Sequence, residues 1–291
     1  MTESILRQIE ALDPERDHQR IVFLSTCYDF PFDTTRALEF ALFRTFAVPS
    51  VAALLDRTGE FRARPQKRYD DTDIIVSELI EWGYDSERGA AALARMNLIH
   101  GHFRIANEDF LYVLSTFVYE PIRWNARFGW RPMTRNEKLA MFHFWRAVGL
   151  RMGIKSIPAD YAAFEAFNRR YERDKVAPST AASRTGSATR ALFASWFPAP
   201  LRPLVRHAIH AMMDDATRAA FGFPAAPAWI ARSLLAAMAL RARILRVLPT
   251  RRSPRLRTAL RRRSYPEPYR MDRVGPPYMT GAAERRQSSE V

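Results

Sequence analysis

Apolar residues recur at three- and four-residue steps through Phe110, Leu111, Leu114, Phe117, Val118 and Ile122. That period is one face of an α-helix and does not suit a strand. It returns at Leu38, Ala41, Leu42 and Phe46, and again at Val51, Leu54 and Leu55, with Pro49 dividing the two runs and Gly59 as a stop. Helix-start chemistry punctuates the chain. Ser86 and Glu87 open RGAAALARMNLIHGHF, TRNE (134–137) is a capping box before KLAMFHFWRAVGLRMGI, and Pro158 and Asp160 precede DYAAFEAFNRRYERDKV. Asn107 is expected to cap the next helix, which explains Glu108 and Asp109 as residues of its positive first turn.

Other segments read less sharply. EFRARPQKRYDDT (60–72) has the composition of a polar connector, with Asp71 or Thr72 capping DIIVSELIEWGY. RIVFLSTCY (20–28) suits a strand or a buried helix equally, and the small polar run 176–190 reads as a mobile loop or the start of a helix. Further helices fit ALFASWF, LRPLVRHAIHAMM and AWIARSLLAAMALRARILRVL. With no alternating strands and no repeat, the expectation is an all-α, single globular domain of about ten helices over residues 1–248. Residues 249–291, rich in Arg and Pro, are expected to be a basic C-terminal extension wrapping that domain, with the last residues disordered.

The chain has 291 residues and one cysteine, Cys27, so a disulfide framework and multi-cysteine metal sites within one chain are excluded. No continuous apolar run opens the sequence, which predicts a cytoplasmic protein without a signal peptide. Its net charge of +14 is concentrated: no acidic residue lies between Asp215 and Glu267, where twelve arginines occur. Such a stretch attracts phosphate, so residues 228–263 are a candidate surface for an anionic membrane and would place the protein peripherally on it. The rival reading is a non-enzymatic basic protein bound to a membrane or another polyanion. Nucleic acid is disfavoured, because no DNA-reading module and no interleaved aromatics accompany the arginines. A transmembrane helix is not expected, since the longest uncharged stretch of AWIARSLLAAMALRARILRVL is Ser233 to Leu240.

Dinucleotide, P-loop, nucleophile-elbow and H-E-x-x-H signatures are all missing. No glutamate is followed three places later by histidine, so the paired motif of a di-iron bundle is missing too. A haem-type site survives this elimination, because one axial imidazole between apolar helices needs no local motif.

The blocks PQKRYDDT, ARMNLIHGHFRIANEDFLYVLSTFVYEPIRW, FGWRPMT, FWRAVGLRMGIKSIP, NRRYE, DDATRAAFGFP and YRMDRVGP occur in this order over about residues 60 to 276. Together they resemble the MpaB branch of the MpaB/rubber oxygenase family. The resemblance implies an α-helical oxygenase that uses dioxygen on a long apolar, isoprenoid- or lipid-like substrate. Rubber-cleaving members carry haem b, which makes haem the implied cofactor. Their proximal histidine would fall at Leu114 or Ser115 here, and neither is a histidine. Either His100 takes the iron, or a histidine from elsewhere does, or this branch does not bind haem as those members do.

His100 is therefore the first candidate for a metal-binding, cofactor-binding and catalytic residue, against the plain alternative of a hydrogen-bonded core imidazole. Arg95 falls where the rubber-cleaving members carry an arginine, and it is the second catalytic candidate; five residues before His100, it lies about 140° round the helix. His102 is about 200° from His100 and reads as solvent-facing. His143, among apolar residues, is a reserve ligand, and Arg146 a candidate partner for the cofactor's carboxylates. His207 and His210 share a face before Asp214 and Asp215, but no third ligand completes a metal site.

Overall fold

A computed structural model describes residues 4–265 and 268–280. The residues expected to be disordered at the far C-terminus lie outside this range. The chain runs α1 (Ile5–Ala11), α2 (His18–Leu24), α3 (Pro31–Thr45), α4 (Pro49–Thr58), α5 (Glu60–Ala63), α6 (Pro65–Trp82) and α7 (Glu87–Gly101). It continues with α8 (Asn107–Phe128), α9 (Arg135–Arg151), α10 (Tyr161–Lys175), α11 (Thr180–Ser195), α12 (Arg202–Met212), α13 (Asp215–Ala220) and α14 (Ala228–Val247). Among the described residues the only β-pairing is an isolated bridge between Arg262 and Tyr265. The fold is all-α, with more and shorter helices than the periodicity predicts.

Most boundaries are set by the expected caps. Ser86 Oγ accepts from the Gly89 amide at 3.0 Å, and Asp160 and Ser179 start α10 and α11 in the same way. Gly59 ends α4 with φ of 71°, a conformation that glycine adopts without strain. Two expectations change, at 60–72 and at Asn107, and the open reading of 20–28 is decided for helix. The connector 60–72 is largely helical: Pro65 stands at the first position of α6, so Arg68, Asp71 and Thr72 lie inside it. Segment 20–28 is α2 followed by a π-helical turn, Ser25–Asp29. Asn107 is the first residue of α8 rather than its cap, and its side chain clamps the 155 backbone instead, with Oδ1 accepting from Lys155 N at 2.8 Å.

Helix α8 is the central strut, burying Tyr112, Leu114, Ser115, Thr116, Val118 and Tyr119 against α3, α9 and α10. It continues through Pro121. Glu137 ties α9 to the π turn. Fully buried, its carboxylate accepts from Thr134 N (2.6 Å), Ser25 Oγ (2.7 Å) and both Arg131 amino groups (2.7 and 2.9 Å). Helices α6 and α7 pack closely at their shared turn, where a Cβ on Gly89 would overlap the Gly83 carbonyl oxygen.

Residues 255–265 and 268–275 lie across α6 and α7. Arg255 N donates to Cys27 O at 2.8 Å, Arg257 and Arg262 pair with Asp73 at 2.7 and 2.6 Å, and Ser264 N donates to Asp70 at 2.8 Å. Lys67 Nζ bonds Asp71, Tyr265 Oη and the Gly275 carbonyl, and Arg95 Nε donates to Val274 O at 2.5 Å. The acids of α6 thus neutralise part of the basic C-terminal charge.

Apolar side chains form two main clusters. One joins α1, α2 and α6 to α10; the other joins α3, α4, α5, α11, α12 and α13. No single helix among the described residues is long and apolar enough to cross a membrane. Helices α3 and α4 reach that length only as a pair bent by 96°.

Candidate active site

A cavity of about 380 Å³ opens where the two clusters meet. Helix α6 supplies one wall with Arg68, Tyr69, Thr72, Asp73, Val76 and Ile80, which recur at helical steps. Helix α3 supplies Leu38, Glu39, Leu42 and Phe43, α11 supplies Thr189, Leu192 and Phe193, and Phe46, Phe61, Phe117 and Cys27 complete the apolar lining. Arg257 closes one side through its pair with Asp73.

The polar groups are few and mostly paired. Glu39 accepts from Arg36 and from Tyr69 Oη, each at 2.6 Å. Burial pushes its pKa up to about 7 against the opposing charge of Arg36, so it titrates near neutrality. Burial also raises the Cys27 thiol well above its usual range, which keeps it protonated.

His100, on α7, does not line this cavity; its ring meets Phe110 edge-on at 5.3 Å between centroids. Its Nδ1 is buried without a hydrogen-bond partner. Burial, with the Arg68 charge second, pushes its pKa down to about 4, so the imidazole is neutral at physiological pH. Arg68 reaches both places: it lines the cavity and its charge acts on His100.

Arg95 is turned away from His100, towards Val274, and one of its amino groups is buried without a partner. His143 lies 6.3 Å from His18 beside α2, and neither it nor Arg146 lines the cavity. The four residues singled out from sequence therefore do not converge. His102 sits against Phe103 and Tyr278. His210 is buried, stacks on Phe223 at 4.8 Å and accepts from Arg190 at 2.9 Å, with its Nδ1 left without a partner. Among the described residues no group of three metal-ligating side chains occurs.

The resemblance places a proximal histidine at Leu114 or Ser115; Leu114 is a buried apolar side chain, and Ser115 is the polar one of the two. Ser115 is fully buried, donates to Tyr112 O at 2.5 Å and accepts from Asn168 Nδ2 at 2.9 Å. That satisfied hydroxyl is no iron ligand. A neutral imidazole with an orphaned buried nitrogen has the donor chemistry that a haem iron needs; His100 and His210 each have one, and neither lines the cavity. Sequence reasoning missed Arg68, Glu39 and Tyr69. Pro65 was the available signal, because it starts α6 early enough to put Arg68, Thr72 and Val76 on one face.

A mainly apolar cavity with a few convergent polar groups in an all-helical scaffold suits an apolar small molecule. Residues 37–271 match the family described as ER-bound oxygenase mpaB/B'/Rubber oxygenase, catalytic domain, and the chain belongs to it. It is an oxygenase, hence an oxidoreductase. ER-bound oxygenase mpaB of Penicillium roqueforti is 30% identical over 211 residues, 66% of this chain and 70% of that protein. The mpaB' protein of Penicillium brevicompactum is 30% identical over 230 residues, 72% of this chain. The mpaB protein of that species is 34% identical over 146 residues, 47% of this chain. Against these last two the match spans 54% and 37% of their length.

Proposed function

We propose that this oxygenase oxidises or cleaves a long apolar, isoprenoid- or lipid-like molecule with dioxygen, bound in the cavity between the two helical clusters. The cavity itself carries the reading: a mainly apolar void of about 380 Å³, framed by four phenylalanines of the second cluster, is lined mostly by residues of the family's catalytic region. It suits an alkyl or prenyl chain better than a polar metabolite.

His100 would hold the iron of a haem. Haem would supply activation of dioxygen. The protein's part is to keep His100 neutral through burial, to cover its ring with Phe110, and to hold the Arg68 charge, itself part of the cavity wall, near enough to act on the imidazole. Arg95 is proposed as a positioning residue through its bond to Val274. The test is an absorption spectrum of the purified protein with iron quantified, before and after haem reconstitution. A Soret band that His100→Ala abolishes supports the assignment. Iron-free, colourless protein that stays so on reconstitution removes haem from the reading.

The fungal relatives are named as ER-bound. For this chain we propose peripheral membrane association through α14. Trp229, Leu240, Ile244 and Val247 are exposed along one stripe of that helix, beside the exposed Arg232, Arg243 and Arg246. Apolar and cationic stripes side by side are the pattern of an interfacial helix. Arg241 of the same helix stacks on Phe32, which lines the cavity, so the surface adjoins the substrate space. Flotation with anionic vesicles, weakened by salt and lost in Arg232→Glu/Arg243→Glu, is the expected result; equal flotation of the variant would remove this role.

A further inference from the structure

The charges around the cavity do not all cancel. Arg36 is paired with Glu39 at 2.6 Å and Arg257 with Asp73 at 2.7 Å. Glu81 accepts from the Arg257 and Thr258 amides and from the Thr258 hydroxyl. Arg255 is exposed. Arg68 is different. Its guanidinium donates to Thr72 Oγ1 one turn on and lies over the Phe61 ring at 5.4 Å, and no carboxylate among the described residues pairs with it. The two nearest acids are already engaged: Lys67 holds Asp71 at 2.8 Å, and Arg64 holds Glu60 at 2.6 Å. Desolvation is the main influence on Arg68 and lowers its pKa.

Arg68 is half-buried, and a partly desolvated cation without a counterion is less favourable than a paired one, a deficit that an arriving anion removes. Thr72 and Phe61 fix the plane of the guanidinium, whose fork matches a carboxylate. Beyond it the wall is apolar: Phe43, Phe46, Phe61, Leu192 and Phe193.

Resting on the reading of this cavity as the substrate site, we propose that it binds a long-chain carboxylate, with the head group on Arg68 and the chain along the phenylalanine wall. The substrate class is thereby narrowed from apolar molecules in general to anionic amphiphiles. A carboxylate could also come from the side arms of a bound haem, and the experiment separates the two sources.

The full chain as purified is titrated calorimetrically with laurate, lauryl alcohol and methyl laurate. Laurate is expected to bind about 10- to 100-fold more tightly than the two neutral ligands, the effect of one charge-assisted pair. Arg68→Gln should erase that preference while leaving lauryl alcohol affinity within about threefold, and Arg68→Lys should restore part of it. Equal affinities for all three ligands in the unmodified protein overturn the proposal, and that comparison holds even if Arg68→Gln fails to fold. A second titration uses haem and its dimethyl ester. Absence of laurate binding, together with haem affinity that falls on esterification and in Arg68→Gln, assigns the carboxylate to the cofactor and overturns the substrate proposal. Failure of the cavity reading has its own signature: none of the three lauryl ligands binds at all.

Discussion

Glu137→Ala is expected to lower the stability of the whole domain by roughly 3–5 kcal/mol, the range for removing one partner of a buried, hydrogen-bonded charge pair. The carboxylate is fully buried and receives bonds from Arg131, Ser25 and the Thr134 amide. Removing it strands the Arg131 guanidinium, which retains only Asp29 as a carboxylate partner, and undoes half of the capping box of α9. Chemical denaturation should show a lower midpoint with an unchanged slope. Glu137→Gln should recover only a fraction, since an amide can accept on one side alone. A loss below about 1 kcal/mol for the alanine variant would show that this buried network is not a stability hub.

Filling the cavity is expected to produce the largest loss of activity. Thr189 is buried on α11 and lines the void, and Thr189→Trp would place an indole where the chain of an apolar substrate is proposed to run. Displacing three or four methylenes at about 0.8 kcal/mol each removes about 3 kcal/mol of binding. That corresponds to a fall in kcat/KM on the order of 100-fold. His100 does not line the cavity, so the iron content and any Soret band should be unchanged. Unimpaired turnover of an apolar substrate by a folded Thr189→Trp protein would place the substrate elsewhere.

Much of the architecture was legible in local chemistry. The capping box at Thr134–Glu137, the Ser86 cap, the break at Pro49 and the stop at Gly59 each involve residues within a few positions of one another, and all occur as read. The connector 60–72 was misread because its polar composition outweighed Pro65. Those polar residues belong inside α6, where Lys67, Asp70, Asp71 and Asp73 face the returning C-terminal segment rather than water. Polar residues signal a loop only when solvent is their partner.

By itself, then, the sequence determined the helical class, most helix starts and the family, because caps, period and ordered blocks are properties of neighbouring residues. Only the tertiary structure decided what surrounds each candidate. His100 and Arg95 share a helix but face different neighbours, and His143 belongs to the α2 side. Arg68 became prominent only once Glu60 and Asp71, close to it in sequence, were found bound to Arg64 and Lys67. Whether a charge is paired, and whether a void lies beside it, depends on residues brought together from helices far apart in the chain, and no local pattern records that.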